Sequence, residues 1–125
     1  MKKLTKLLFM ITITSILISC ENSKYDLSSP ESCINTLVKA SSEKDKNGLS
    51  LCFSKQSPGE FQSIVNKNLT DNDLDEIKEM FENITIKSTT IEGNNATISI
   101  KFSKIDRDEE IKMVKENENW VILDF

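Results

Sequence analysis

Apolar residues along this chain follow three successive patterns, and each predicts a different kind of structure. Leu7 to Ile18 form a nearly continuous apolar run, broken only by Thr12, Thr14 and Ser15. From residue 30 to residue 81 apolar positions return at helical spacing. Beyond residue 84 they alternate with polar ones, the period of half-buried strands. In the helical region Pro30 suits a first helical position, with Ser28 or Ser29 as cap and Glu31 near the positive helix end. Cys33, Ile34, Leu37, Val38 and Ser41 then share a stripe. Asp45 begins a short second helix in which Leu49, Cys52 and Phe53 share a face. Ser57-Pro58-Gly59-Glu60 has the form of a capping box and predicts a third helix carrying Phe61, Ile64, Val65 and Leu69. A fourth follows from Asp71 to Phe81, with Leu74, Ile77 and Phe81 on its inner face.

The strands are as legible. The stretch NITIKSTTI is rich in β-branched residues, Gly93-Asn94-Asn95 is a turn signal, and ATISIKFSKI places Ala96, Ile98, Ile100 and Phe102 on one face. Asp106-Arg107-Asp108 connects to the strand EEIKMVKE, and Asn117-Glu118-Asn119 turns the chain into WVILDF. Helices first and an antiparallel four-stranded meander second predict an α+β domain with the helices on one face of the sheet.

The N-terminal run is too short for a membrane span, which needs roughly 20 mostly apolar residues. Lys2, Lys3 and Lys6 before it and the small Ser19 after it describe a secretory signal peptide. Leu17-Ile18-Ser19-Cys20 resembles the lipobox of bacterial lipoproteins. That resemblance implies cleavage between Ser19 and Cys20, diacylation of the Cys20 thiol with palmitate-like chains, and an exported domain anchored to the cell membrane or outer membrane. Two acyl chains hold a protein stably where one does not. The expected organisation is a signal peptide over 1–19, lipidated Cys20 and a tether over 20–28, and one domain over 29–125. Tyr25 falls in that tether.

Processing changes the charge. The full chain carries 16 basic and 20 acidic residues, and residues 1–19 hold three of the basic and none of the acidic ones. The processed chain therefore has a net charge of −7, which argues against nucleic acid as a partner. An acidic surface suits a cationic ligand or simply solvent.

The order of a Pro-capped helix at SPESCINTLVKASSEKD, a short helix at KNGLSLCF and the hairpin MVKENENWVILDF resembles the nuclear transport factor 2-like superfamily. The resemblance runs over residues 29–125 and is nearest to domains of unknown function carried on bacterial lipoproteins. It implies a cone-shaped, cystatin-like fold in which a curved sheet wraps around the first helix, often around a pocket. A hollow cone would be lined by Leu37, Phe53, Ile98, Ile100, Phe102 and Trp120; a filled one would use them as core.

Candidate chemistry is sparse. The chain has no histidine, which removes Ser-His-Asp and Cys-His catalysis and histidine-based zinc sites. Asp124 comes nearest to a carboxylate on an inward strand face, and solvent exposure explains it as well. Asp71, Asp73, Asp75 and Glu82 match positions of a calcium-binding EF-hand loop, but Glu76 stands where that loop needs glycine, and Leu74, Ile77 and Phe81 keep helical spacing through it. A solvated helix face accounts for them, so no metal and no cofactor is expected.

Cys33 and Cys52 could form a disulfide after export, contributing roughly 3 kcal/mol. In a simple helical hairpin, however, Cys33 lies about 15 Å up the first helix and Cys52 about 8 Å up the second, at ~1.5 Å per residue. A bridge needs Cα atoms within ~7 Å, so the helices would have to cross steeply. Both also fit their stripes as small buried apolar residues. The leading expectation is a non-catalytic binding or interaction module engaging a small apolar ligand or an envelope protein. The alternatives are an enzyme using a pocket carboxylate and a structural domain that forms a homodimer through its exposed sheet face.

Overall fold

The computed structural model describes residues 25–125; the expected signal peptide, the Ser19–Cys20 cleavage site and residues 20–24 of the tether lie outside the described residues. Helices come first: α1 is Pro30–Glu43, α2 Lys46–Leu51, α3 Gln62–Val65 and α4 Asp71–Phe81. The strands follow as β1 Thr85–Glu92, β2 Asn95–Phe102, β3 Arg107–Glu116 and β4 Asn119–Asp124, in one antiparallel sheet of order β1-β2-β3-β4. This is the α+β architecture that the change of period predicts.

Local chemistry explains most boundaries. Ser29 caps α1 by accepting the Ser32 N–H at 3.1 Å, with Pro30 directly inside the helix. Lys44 closes α1 in the left-handed conformation, φ 54°, and Asp45 at once caps α2 through the Asn47 and Gly48 N–H groups. At α4, Thr70 and Asp73 form a reciprocal capping box: the Thr70 hydroxyl accepts the Asp73 N–H, and the Asp73 carboxylate accepts the Thr70 N–H. The backbone bond from Thr70 holds the Asp73 carboxyl below its ordinary pKa.

The third expected helix is the one that changes form. Gly59–Phe61 is a 3₁₀ turn and α3 has a single turn beyond it, with no side-chain cap at Pro58. Ser57 does not close a capping box. Its buried hydroxyl donates instead to the Ile122 carbonyl in β4 at 3.0 Å, a long-range bond that local sequence signals do not encode. The second strand also stops early: Ser103 to Asp106 form a turn held by the exposed Lys101–Asp106 pair at 2.8 Å, which leaves Ile105 in solvent.

α1 contacts both edge strands, β1 and β4, as well as β2. Four strands spaced ~4.8 Å apart cannot all reach one helix unless the sheet curls around it. The alternation in β2 faces Ala96, Ile98, Ile100 and Phe102 inward, against Cys33, Ile34 and Leu37 of α1 and Ile111, Met113 and Ile122 of the other strands. Burial of each large aliphatic side chain contributes about 1.5–3 kcal/mol. The opposite face of the sheet is mostly polar, carrying Thr97, Ser99, Lys101, Glu110 and Lys112, with one cross-strand apolar pair, Val114 and Val121.

Residues 25–28 do not behave as a tether. Leu27 is buried in the core, its carbonyl accepts the Trp120 N–H at 2.8 Å, and the Asp26 carbonyl accepts the Thr36 hydroxyl. The Tyr25 hydroxyl donates to Asp45 Oδ2 at 2.5 Å, and its ring lies over Gly48. Polar composition hid this strap because only Tyr25 and Leu27 in it are apolar enough to pack. A Cβ at position 48 would stand 2.8 Å from Tyr25 Cε2 and 2.9 Å from Ala40 Cβ. Glycine to alanine in a helix ordinarily gains up to about 1 kcal/mol. Here Gly48→Ala is expected to lower Tm by about 5–10 °C through overpacking. Calorimetry checks this, and a raised Tm would contradict the docked strap.

Candidate functional site

The residues expected to line a hollow cone separate into two groups. Leu37, Ile98 and Ile100 have 0% exposure, so no water-sized void touches them, and Trp120 is buried beside them. These four serve as core, as a filled cone requires: the Ile and Leu side chains of α1, β2, β3 and β4 interdigitate across the space. Phe53 and Phe102 have a different environment. Each is buried at its own position yet forms the wall of an open groove on the outside of the helical layer.

The groove beside Phe53 has a volume of about 320 Å³. Its floor is built from distant parts of the sequence by one chain of aromatic contacts. Phe53 lies 5.5 Å from Phe61, Phe61 stacks on Phe125 at 5.0 Å, Phe125 meets Phe81 edge-on at 6.1 Å, and Phe81 packs on Phe102 at 6.0 Å. Every phenylalanine among the described residues joins this chain. Such ring pairs each contribute about 0.5–1.5 kcal/mol beyond their area. Ile64 and Ile77 complete the apolar wall.

The rim of this groove has one sign of charge. Glu60, Asp73 and Glu76 stand on it, and no lysine or arginine lines it. A second groove of about 240 Å³ adjoins it on the other side of α4, sharing Glu76 and Met80 and continuing past Glu79 to Phe102, Lys104 and Ile105. Met80 and Ile105, which the two grooves bring into one surface, are 49% and 57% exposed. Together the grooves form an elongated apolar track bordered mainly by carboxylates. Sequence periodicity identified Phe61, Ile77 and Phe81 as inward-facing stripe residues, but not that the stripe reaches the surface beside the chain's last residue.

The acidic run of α4 is helical throughout. Asp73 serves the cap, Asp75 pairs with Lys44, and Glu76 accepts a bond from Asn72 at 3.3 Å. Of the four residues that match a calcium loop, Asp73 and Asp75 are engaged in these contacts, and the segment from Asp71 to Phe81 is helix rather than loop. Among the described residues the buried polar side chains are Thr36, Ser41, Ser54 and Ser57, and each hydroxyl has a partner. Asp124 is half-buried at the end of β4. Tyr25, expected in a free tether, is hydrogen-bonded at the α1–α2 corner.

Cys33 and Cys52 come together, contrary to the hairpin estimate. α2 is only Lys46–Leu51, so the chain leaves it at Cys52 and turns toward β4 rather than climbing alongside α1. Both are fully buried, with Cys33 Sγ 3.7 Å from the Cys52 carbonyl and Cys52 Sγ 3.8 Å from the Cys33 carbonyl. Their side-chain hydrogen bond and burial hold the Cys33 proton on, well above the ordinary thiol range.

No family model matches the chain, and no curated protein matches it. Among solved structures, it is similar to a protein from Campylobacter jejuni provisionally described as an NTF2-like transpeptidase. The two share 17% identity over 75% of this chain and 96% of that chain, with a TM-score of 0.49. This likeness concerns the path of the backbone and transfers no activity.

Proposed function

We propose that this protein is a lipid-anchored, non-catalytic interaction module of the cell envelope that binds an amphipathic, basic polypeptide segment along α4. The observation that carries this reading is the open aromatic track, bordered by Glu60, Asp73, Glu76 and Glu79, beside a core with no room inside. An enclosed site would suit a small apolar molecule. An open track that continues from one groove to the next suits an extended or helical segment with apolar anchors. Arginine or lysine on that segment would gain from the rim carboxylates, and its apolar anchors from the partly buried Phe61 and Phe125 rings. A net charge of −7 after processing favours the same partner. The outer face of the sheet is mostly polar, with Val114 and Val121 as its apolar pair, and the buried polar side chains among the described residues are hydroxyls rather than carboxylates, which favours binding over acid–base catalysis.

Two experiments test the two parts. For anchoring, the wild-type chain is expected to incorporate radiolabelled palmitate and to fractionate with membranes, and Cys20→Ser to lose the label. A variant that still labels would contradict the lipobox reading. For recognition, the full chain in nanodiscs of zwitterionic lipid is titrated with a labelled amphipathic leucine–lysine peptide, with empty nanodiscs as the background. Glu76→Lys, an exposed change, should weaken binding by about tenfold and improve binding of the matching leucine–glutamate peptide. Equal binding of both peptides by both proteins would contradict the charge-bordered track.

A further inference from the structure

We propose that Cys33 and Cys52 are joined in the mature protein by an intramolecular disulfide that staples α1 to the segment leaving α2. Both are free thiols in this structure. Each sulfur lies against the other residue's carbonyl, at 3.7 and 3.8 Å, and the two side chains are hydrogen-bonded to each other, while Cys52 Sγ also lies 3.4 Å from the Gly48 carbonyl of its own helix. Neither has any exposure, and both sit within one apolar cluster with Ile34, Leu37 and Leu49. The pair is separated by 19 positions, so closing it removes a sizeable loop from the unfolded ensemble. The staple would act where the helical layer meets the sheet, because the Cys52 carbonyl also accepts the Ile122 N–H of β4 at 2.7 Å. Phe53, the next residue, forms the end of the aromatic floor.

The chemistry is thiol–disulfide exchange with an external disulfide, the class of oxidant found outside the cytoplasm. One cysteine thiolate attacks a sulfur of that disulfide, forming a mixed disulfide and releasing one oxidant thiolate. The second cysteine thiolate attacks the first cysteine's sulfur, the Cys33–Cys52 bond forms, and the second oxidant thiolate leaves. Two electrons pass to the oxidant, and the two thiol protons end on its sulfurs. Complete burial requires that exchange precede final packing, while both thiols are still within reach. The same burial then shields the finished bond from reductant.

The oxidised state in the cell rests on the proposed export; the juxtaposition of the two residues does not. The test therefore has two arms. In the first, the full chain carrying Cys20→Ser, so that Cys33 and Cys52 are its only thiols, is unfolded in denaturant with reductant and refolded in detergent with a glutathione redox buffer. A monomer two hydrogens lighter, a proteolytic fragment joining Cys33 to Cys52, and a Tm more than about 10 °C above the reduced form are expected. Cys52→Ala should fold and show no such shift. A refolded native protein whose two thiols both alkylate after denaturation, or carry glutathione, overturns the pairing. In the second arm, cells expressing the wild-type chain are alkylated before lysis and fractionated. A membrane-fraction protein with both thiols alkylated overturns the staple in the cell, whereas a cytosolic dithiol overturns the export reading and leaves the refolding result to decide the pairing.

Discussion

The structure depends on how the outer edge of β4 is satisfied. Among the described residues β4 is a terminal strand of the sheet, and its outward-facing backbone groups need partners that no fifth strand there supplies. The helical half of the chain supplies them. Ile122 donates to the Cys52 carbonyl and accepts from the Ser54 N–H, each at 2.7 Å, and Trp120 donates to the Leu27 carbonyl at 2.8 Å. Phe53 and Ile122 make a short parallel bridge between these bonds. Ser57 adds its hydroxyl to the same Ile122 carbonyl, and Ser54 donates its own to Glu116 at 2.6 Å. One strand edge thereby fixes the strap before α1, the exit from α2 and the entry to the 3₁₀ turn.

The groove and the proposed staple both follow from that clamp. Pulling Cys52 to the strand brings it to Cys33. Holding Phe53 at the bridge sets the first ring of the aromatic floor, and Phe61, Phe125 and Phe81 stack outward from it. The sheet curls tightly enough around α1 that aliphatic side chains fill its concave side, so the proposed recognition track lies on the flank of the fold rather than inside it. The flank is suited to it, because α4 buries Leu74 and Phe81 on one side while leaving Met80 and a row of carboxylates outside.

Much of this was legible in the residues. Periodicity identified α1, α2, α4 and the four strands, because each has a clean stripe and a local cap or turn. The Ser29–Pro30 start, the Asp45 cap and the Gly93 and Asn117 turns are all short-range signals. What was not legible depended on distant partners. Ser57 looked like a helix cap and proved to be a strand ligand, Tyr25 and Leu27 looked like linker and proved to be packed, and the cysteines looked separated until the shortness of α2 brought them together. For the candidate site, the apolar stripes of α3 and α4 were visible and their use was not. A residue on a stripe can face a core or a groove, and only the packing of Leu37, Ile98 and Ile100 decides which.

The account is tested most directly by methyl NMR of the full chain in zwitterionic nanodiscs during titration with a leucine–lysine amphipathic peptide. It predicts saturable shifts at the methyls of Met80, Ile64 and Ile77, which line the track, with those of Ile98 and Ile100 unmoved in the filled core. Shifts concentrated at Ile98 and Ile100, or none at Met80, would contradict it.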